Sequence, residues 1–350
     1  MKLLRGNTNA GIRGEAVELV PSVSRADWRK LCDRHPDSTV FHSHDFLEAV
    51  SGSLRCELHS LGVVWRDDIV GVAPVLLKRL GPFSTINWIP FPYLGPLVPR
   101  PLVGATLDAL VGFAKTRRCL NHQQSFAVEH CPYDGRFEHR SDRTFVIDVR
   151  RTDEELRRAM HRKVRLQVRR AEDFGFEVAA STPEDLQLME EWASGLFSAR
   201  GMTWPYGLGV CGAVSSALGK SRYSLFESAR YEGRLVAASI FLATRTTAFG
   251  WQIAVDPAFK ARYPQALLIW RAAQWARGLE LAQLDLVGAP TNGIAEYKSR
   301  WGAEERRFSV MRMQARTYRL AAASFRRVLV AKSAGVRKVA NAPQSNSGPR

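Results

Sequence analysis

A plan that occurs twice constrains this chain more than any other feature. GVVWRDDIVGVAPVLLKR at 62–79 and SARYEGRLVAASIFLATR at 228–245 each read as a short strand, a tight turn and a longer apolar strand ending in a basic residue. The turns fall at Asp67-Asp68 and Glu232-Gly233. Aligning Val70 with Val236 sets Trp65 on Tyr231 and Ile69 on Leu235. Each copy continues with another strand, a proline-containing loop and an amphipathic helix. The helix is GATLDALVGFAKTR in the first copy and PQALLIWRAAQWARG in the second, with Pro264 suited to a first turn and Gly278 to a helix end. Hairpins followed by helices, twice over, predict an α+β layer architecture: two domains, each a mixed sheet flanked by helices.

At 350 residues there is room for two such domains, each with its own core. The reading is a frayed start at 1–16, a first domain at 17–150, a basic linking helix at 151–176 and a second domain at 177–318. A basic amphipathic helix at 319–340 and a frayed tail at 341–350 complete it. Nine tryptophans and an apolar fraction of 45% exclude wholesale disorder. The most apolar stretch, VAASIFLATRTTAFGWQIAV, is interrupted by Arg245 and by polar residues at strand-like spacing, so no membrane span is expected. The start has basic residues but no continuous apolar run, so no signal peptide is read there. Five scattered cysteines, odd in number and never spaced CxxC, suggest a reducing cytosol without disulfides or zinc.

Fifty Lys+Arg against thirty-four Asp+Glu give a net charge of +16, which points to a polyanionic partner unless the charge is spread evenly. It is not evenly spread. In RTDEELRRAMHRKVRLQVRRAEDFG, Thr152 and Glu155 have capping-box spacing and Gly175 stands at a helix stop. Leu156, Met160, Val164 and Val168 form a narrow apolar stripe on the long helix so predicted. Around that stripe stand Arg157, Arg158, Arg162, Lys163, Arg165, Arg169 and Arg170, while acidic residues gather only at the two ends. The distribution favours phosphate contact by Arg162, Lys163, Arg165, Arg169 and Arg170 over a merely solvated face.

Several stretches together resemble the FemAB-type and related GNAT-like acyltransferases. FHSHDFLEAV at 41–50 resembles their opening helix, and PYLGPLV at 92–98 their Tyr-x-Gly-Pro segment. HRKVRLQVRRAEDFGFEV is similar to their basic helix, and LDLVGAPTNGIAEYKSRWGAE to their Asp…Gly…Tyr/Phe-Lys…Phe/Trp-Gly signature. The likeness runs from about residue 22 to 316. It implies tandem GNAT-like domains and acyl transfer to an amine. Fem transferases carry amino acids from aminoacyl-tRNA to peptidoglycan precursors; relatives in antibiotic biosynthesis use small amines, and others take acyl-CoA. The expected partners are therefore an aminoacyl-tRNA donor and an amine acceptor, either a cell-wall precursor or a small metabolite. The stretch TYRLAAASFRRVLVAKSAGVRKV adds contact with an anionic membrane, or simple packing, as a further option.

Two donors compete. A coenzyme A site needs backbone amides at a helix N-terminus, in a glycine-rich turn, to hold the pyrophosphate. The matching stretch, DPAFKARYPQALLIW, has no glycine; Tyr263 is bulky and Pro264 removes an amide. That favours the RNA-borne donor, and no cofactor is expected.

In LDLVGAPTNGIAEYKSRWG, the resemblance gives Lys298 the role of stabilising the oxyanion of aminolysis, with Tyr297 and Trp301 flanking its stem. Asp285 ends an apolar strand and orients Lys298, or accepts the amine's proton, or caps the turn. Tyr297 either bonds the donor or packs in the core, and Gly288 and Gly293 are read as giving the donor loop its backbone freedom. The resemblance places Ser43, His44 and Tyr93 on the acceptor side. The string His42, His44, Asp45 suggests a metal at first sight, but at a helix start the two imidazoles face different ways, so none is expected.

Overall fold

The computed structural model describes residues 16–315, apart from 22, 90, 130–132, 134 and 200. The expected helix at 319–340 and the tail after it lie outside the described residues, as does nearly all of 1–16. Among the described residues no helix is long and apolar enough to cross a membrane.

Twelve strands make one continuous mixed sheet. In chain order they are β1 (Glu18–Val20), β2 (Glu57–Trp65), β3 (Asp68–Leu80), β4 (Phe83–Ile86), β5 (Cys119–Phe126), β6 (Glu138–Asp148), β7 (Glu177–Ala180), β8 (Ser224–Tyr231), β9 (Arg234–Ala243), β10 (Thr247–Val255), β11 (Gln283–Asp285) and β12 (Glu304–Gln314). Across the sheet the order is β1-β2-β3-β4-β5-β12-β6-β11-β10-β9-β8-β7. Read from either edge inward, the halves match, with a pseudo-twofold between β12 and β6. The last strand of the second half sits beside β5 of the first, and β6 sits beside β11 of the second. The expected boundary near residue 150 therefore cuts connectivity rather than structure: the halves exchange a strand.

The repeat survives in detail. Both hairpins close with two-residue turns, Arg66-Asp67 (φ 52° and 66°) and Glu232-Gly233 (φ 49° and 75°). Paired positive φ values match the right-handed strand twist. The first turn falls one residue earlier than the sequence suggested. Each hairpin also carries a bulge at the corresponding place, Val63/Val64 and Ala229/Arg230.

Helices α1 (Arg25–Arg34), α2 (His44–Leu54), α6 (Pro183–Ser198) and α7 (Val210–Leu218) pack around the junction of the halves, and α3 (Val103–Thr116) and α8 (Pro264–Gly278) link the parallel strands. The junction core is aromatic. Phe46 stands edge-on to Phe41 at 5.4 Å, to Phe91 at 5.4 Å and to Trp251 at 5.2 Å. Such pairs add about 1 kcal/mol each to their burial, so the halves form one packed body.

The long basic helix is two helices, α4 (Asp153–Ala159) and α5 (Arg162–Asp173). The four stripe residues are all buried, as expected, but Met160 is extended and His161 caps α5. The break is where the end of α9 (Asn292–Ser299) docks: His161 N donates to Arg300 O at 2.8 Å. Gly302 lies against it with φ 72°, and a Cβ there would stand 2.7 Å from the Ala159 carbonyl oxygen.

Candidate active site

Strands β10 and β11 run parallel for only three residue pairs, ending at Phe249↔Asp285, and then part. Asp285 thus stands at the apex of a splay between strands, where α/β folds present functional groups. It is buried, and its carboxylate is filled by donors from both halves of the molecule. Tyr93 Oη donates to Oδ2 at 2.7 Å, while Thr144 Oγ1 and the Val287 amide, the latter at 2.7 Å, donate to Oδ1. Burial raises the Asp285 pKa, against the pull of Thr144, Tyr93, the Val287 amide and the Lys298 charge. Burial, and then the Asp285 charge, push the Tyr93 phenol well above its ordinary value. The pair is a phenol donating to a carboxylate.

Tyr93 is delivered by the loop after β4. Its φ of 63° is left-handed, a strained conformation for a side chain with a Cβ. The surroundings over-determine it. Ser125, near the end of β5, accepts from Leu94 N at 3.1 Å and donates to Phe91 O at 2.9 Å. Phe308 stands edge-on to the Tyr93 ring at 5.1 Å. Two histidines hold the same loop. His42 Nδ1 accepts from Thr39 N at 3.2 Å, so its other nitrogen donates to Gly95 O at 3.0 Å. His35 Nδ1 accepts from Asp37 N at 3.2 Å and Nε2 donates to Val98 O at 3.1 Å. Burial pulls the His42 pKa down to about 4, so the His42 imidazole is neutral at pH 7.

Lys298 lies close by with its work already assigned. Its Nζ donates to Leu286 O, Val287 O and Gly288 O at 2.5, 2.9 and 2.8 Å. An ammonium has three protons, so in this structure none is left for a substrate oxyanion. The expectation of a free donor gives way to a clamp that curls residues 286–288 around the cation. Burial lowers its pKa to about 8, while Asp285 favours the charged form, so it is protonated at pH 7. The left-handed turn of this loop falls on Val287 (φ 53°), not on a glycine. Gly288 supplies a carbonyl without a positive φ, and Gly293 sits inside α9 with nothing within 4 Å of a Cβ. Neither glycine gives the freedom expected of it.

The remaining expected residues separate. Tyr297 and Trp301 pack edge-on to each other at 6.4 Å in the core beneath α8, away from the Asp285 cluster, and burial pushes the Tyr297 phenol up to about 12. Ser43 precedes α2 and makes no side-chain cap bond; His44 is held by Ser60 at 3.2 Å and Glu48 at 3.3 Å. Neither lines the depression beside Tyr93, whose wall is made by His35, His42, Gly95 and Ser125 instead. Sequence reasoning missed Thr144 and His35, and named His42 only as a metal candidate to be set aside. Thr144 lies in an ordinary β-strand, TFVID, with no local sign of its role.

Arg162, Lys163, Arg165, Arg169 and Arg170 are all exposed on α5; among the described residues only Arg169 meets an acid, Asp173 at 3.7 Å. The helix packs along α8 and reaches the turn Pro257–Arg262 before it, where Arg262 lies over the Phe174 ring at 5.0 Å. The basic ridge therefore ends beside the α8 N-terminus. That terminus is entered through Tyr263 at φ 63° and Pro264, which is buried. No glycine-rich amide cradle forms there.

Residues 155–299, from α4 to the end of α9, match the acetyltransferase (GNAT) domain family. No curated protein matches the chain. Among solved structures, FemX is similar with a TM-score of 0.63 and 14% identity, over 83% of this chain and 96% of that one. A conserved protein of unknown function from Bacteroides thetaiotaomicron VPI-5482 gives 0.54 and 12%, over 85% and 100%. The C-terminal domain of a protein described as a lysylphosphatidylglycerol synthetase, from Agrobacterium fabrum, gives 0.53 and 11%, over 85% and 96%. At these identities the structural likeness is one of fold. Residues 155–299 thus match a GNAT acetyltransferase domain, and the sheet flanked by helices is a fold of the GNAT-like kind.

Proposed function

We propose that the chain transfers an aminoacyl group from aminoacyl-tRNA to an amine, of a cell-wall precursor or a small metabolite, in the cytoplasm. The observation that carries this reading is the α5 ridge: four exposed cations without an acidic partner among the described residues, ending at a helix terminus that lacks an amide cradle. Side chains spaced along a helix suit a phosphate backbone better than a single diphosphate.

The amine nitrogen attacks the ester carbonyl, the tetrahedral species collapses, and the bond to the ribose oxygen breaks. Asp285 is the candidate acceptor of the amine's proton, reached through the Tyr93 hydroxyl, and the leaving oxygen takes a proton in exchange. Lys298 is a positioning residue here. It fixes the loop beside the carboxylate and sets a positive potential there, while Tyr297 and Trp301 hold its helix in place.

The test is transfer of a radiolabelled amino acid from charged tRNA to candidate amines, with and without RNase. Product that disappears on RNase treatment supports the reading. The match to an acetyltransferase domain favours one alternative, an acyl-CoA donor. Transfer from acetyl-CoA that RNase leaves intact, with thermal stabilisation by acetyl-CoA at about micromolar concentration, would decide for it.

A further inference from the structure

The loop that carries Tyr93 also walls a partly open depression in the first half, between the α1–α2 connection, the start of α3 and the end of β5. Its walls are apolar, from Leu97, Val98, Val103 and Phe126, and it is built rigidly by the bonds of His35, His42 and Ser125 described above. Two charges line it without a partner among the described residues. Asp37 is half-buried and its carboxylate makes no ion pair; Arg100 is exposed and its guanidinium meets no acid. Binding pockets are mostly apolar with a few placed polar groups, and an acid and a base on the walls of one apolar depression have that form. The corresponding strand end in the second half holds Asp285. The counterpart by register here is Gln123, whose side-chain oxygen accepts from Arg312.

We propose that this depression binds a small zwitterion of the amino-acid class: an ammonium recognised by Asp37, an anionic carboxylate by Arg100, and a short apolar body between them. It lies beside the reaction centre of the acyl-transfer reading above, with Tyr93 forming the wall shared with the Asp285 cluster. The charge-assisted contacts give discrimination, and each is worth about a tenfold change in affinity or more.

The experiment is a calorimetric or NMR titration of the full chain, without donor, by L-alanine, L-alaninamide and propionate. These share a body and carry both charges, the cation only and the anion only. L-Alanine is expected to bind on the order of millimolar, at least about tenfold more tightly than either analogue. Arg100→Gln should erase the preference over the amide, and Asp37→Asn the preference over propionate, each leaving the other intact. Both residues are at the surface, and unchanged melting temperatures confirm that the variants fold. Equal binding of the three probes, no binding of L-alanine, or a preference untouched by either substitution overturns the proposal. Selective binding by a protein that transfers nothing would sink the acyl-transfer reading and leave the site standing. Transfer from a donor by a protein that binds none of the three probes would do the reverse.

Discussion

Replacing Lys298 by methionine separates a loop clamp from a free catalytic donor. Methionine keeps the apolar stem and removes three donors, leaving the carbonyls of Leu286, Val287 and Gly288 without the partner they converge on. A hydrogen bond to a charged group contributes about 1.5–3 kcal/mol net. Three of them do not add in full, because the site is only half-buried, water can reach vacated carbonyls, and the cation's own desolvation works against it. A net loss of about 2 kcal/mol is expected. In urea denaturation at pH 7 that is a midpoint shift of roughly 0.7 M for a slope of about 3 kcal/mol/M. A loss below about 0.5 kcal/mol would show that the loop keeps its shape without the ammonium, and the clamp reading would fall.

The same variant checks the electrostatics. The folded-state pKa of Lys298 is about 8, below the ordinary lysine value of 10.5. Between those values the unfolded chain holds a proton that the folded one has released, so this lysine makes stability rise with pH across that window. The methionine side chain binds no proton in either state. The stability advantage of the natural protein over Lys298→Met should therefore widen from pH 8 towards pH 10. A gap that narrows instead means that the three carbonyls hold the ammonium more strongly than burial expels it.

Tyr93→Phe removes one of the donors to a buried carboxylate and should cost about 2 kcal/mol of stability by chemical denaturation; a neutral result would mean that Thr144 and the Val287 amide suffice for Asp285. Gly302→Ala meets both a left-handed φ and the Ala159 carbonyl, so a loss of about 2–4 kcal/mol is expected, whereas Gly278→Ala, with nothing within 4 Å, should be neutral or slightly stabilising. Similar melting shifts for the two glycine variants would contradict the docking of α9 on the α4–α5 break. The double variant Arg165→Glu, Arg169→Glu should weaken binding of tRNA and flatten its dependence on log salt by about 1–2 units, measured by filter binding. Unchanged binding at every salt concentration would remove α5 from the interface.

What the sequence made legible was local. Both hairpins were readable because turn chemistry and alternating apolar residues act over a few positions, and even the shared bulge follows the alignment of Val70 with Val236. The apolar stripe Leu156, Met160, Val164, Val168 was also right as burial and wrong as one helix. A period of four survives a break when the extended residue, Met160, still points inward, and the cause of the break, Gly302, lies far along the chain. Strand exchange left no trace, since β5 and β12 are joined by contacts such as Arg312 to Gln123 across 189 residues.

The site shows the same limit in a sharper form. Tyr93 and Asp285 were each singled out, but on opposite grounds, one for the acceptor and one for the chemistry; the bond that unites them spans 192 residues. Lys298 was singled out for a charge, and what matters to it is the number of carbonyls within reach, a property of a folded loop that no spacing encodes. The cluster is assembled from three pieces: the first-half loop with Tyr93, β6 with Thr144, and the second-half strand end with Asp285. Only Thr144 falls in different halves by sheet order and by sequence, because β6 belongs to the first half in sequence and pairs with β11 in the second. The exchange of β6 and β12 is therefore the step that brings the phenol to the carboxylate, and a half separated at residue 150 would lose Tyr93 and Thr144 together while keeping Asp285 and Lys298.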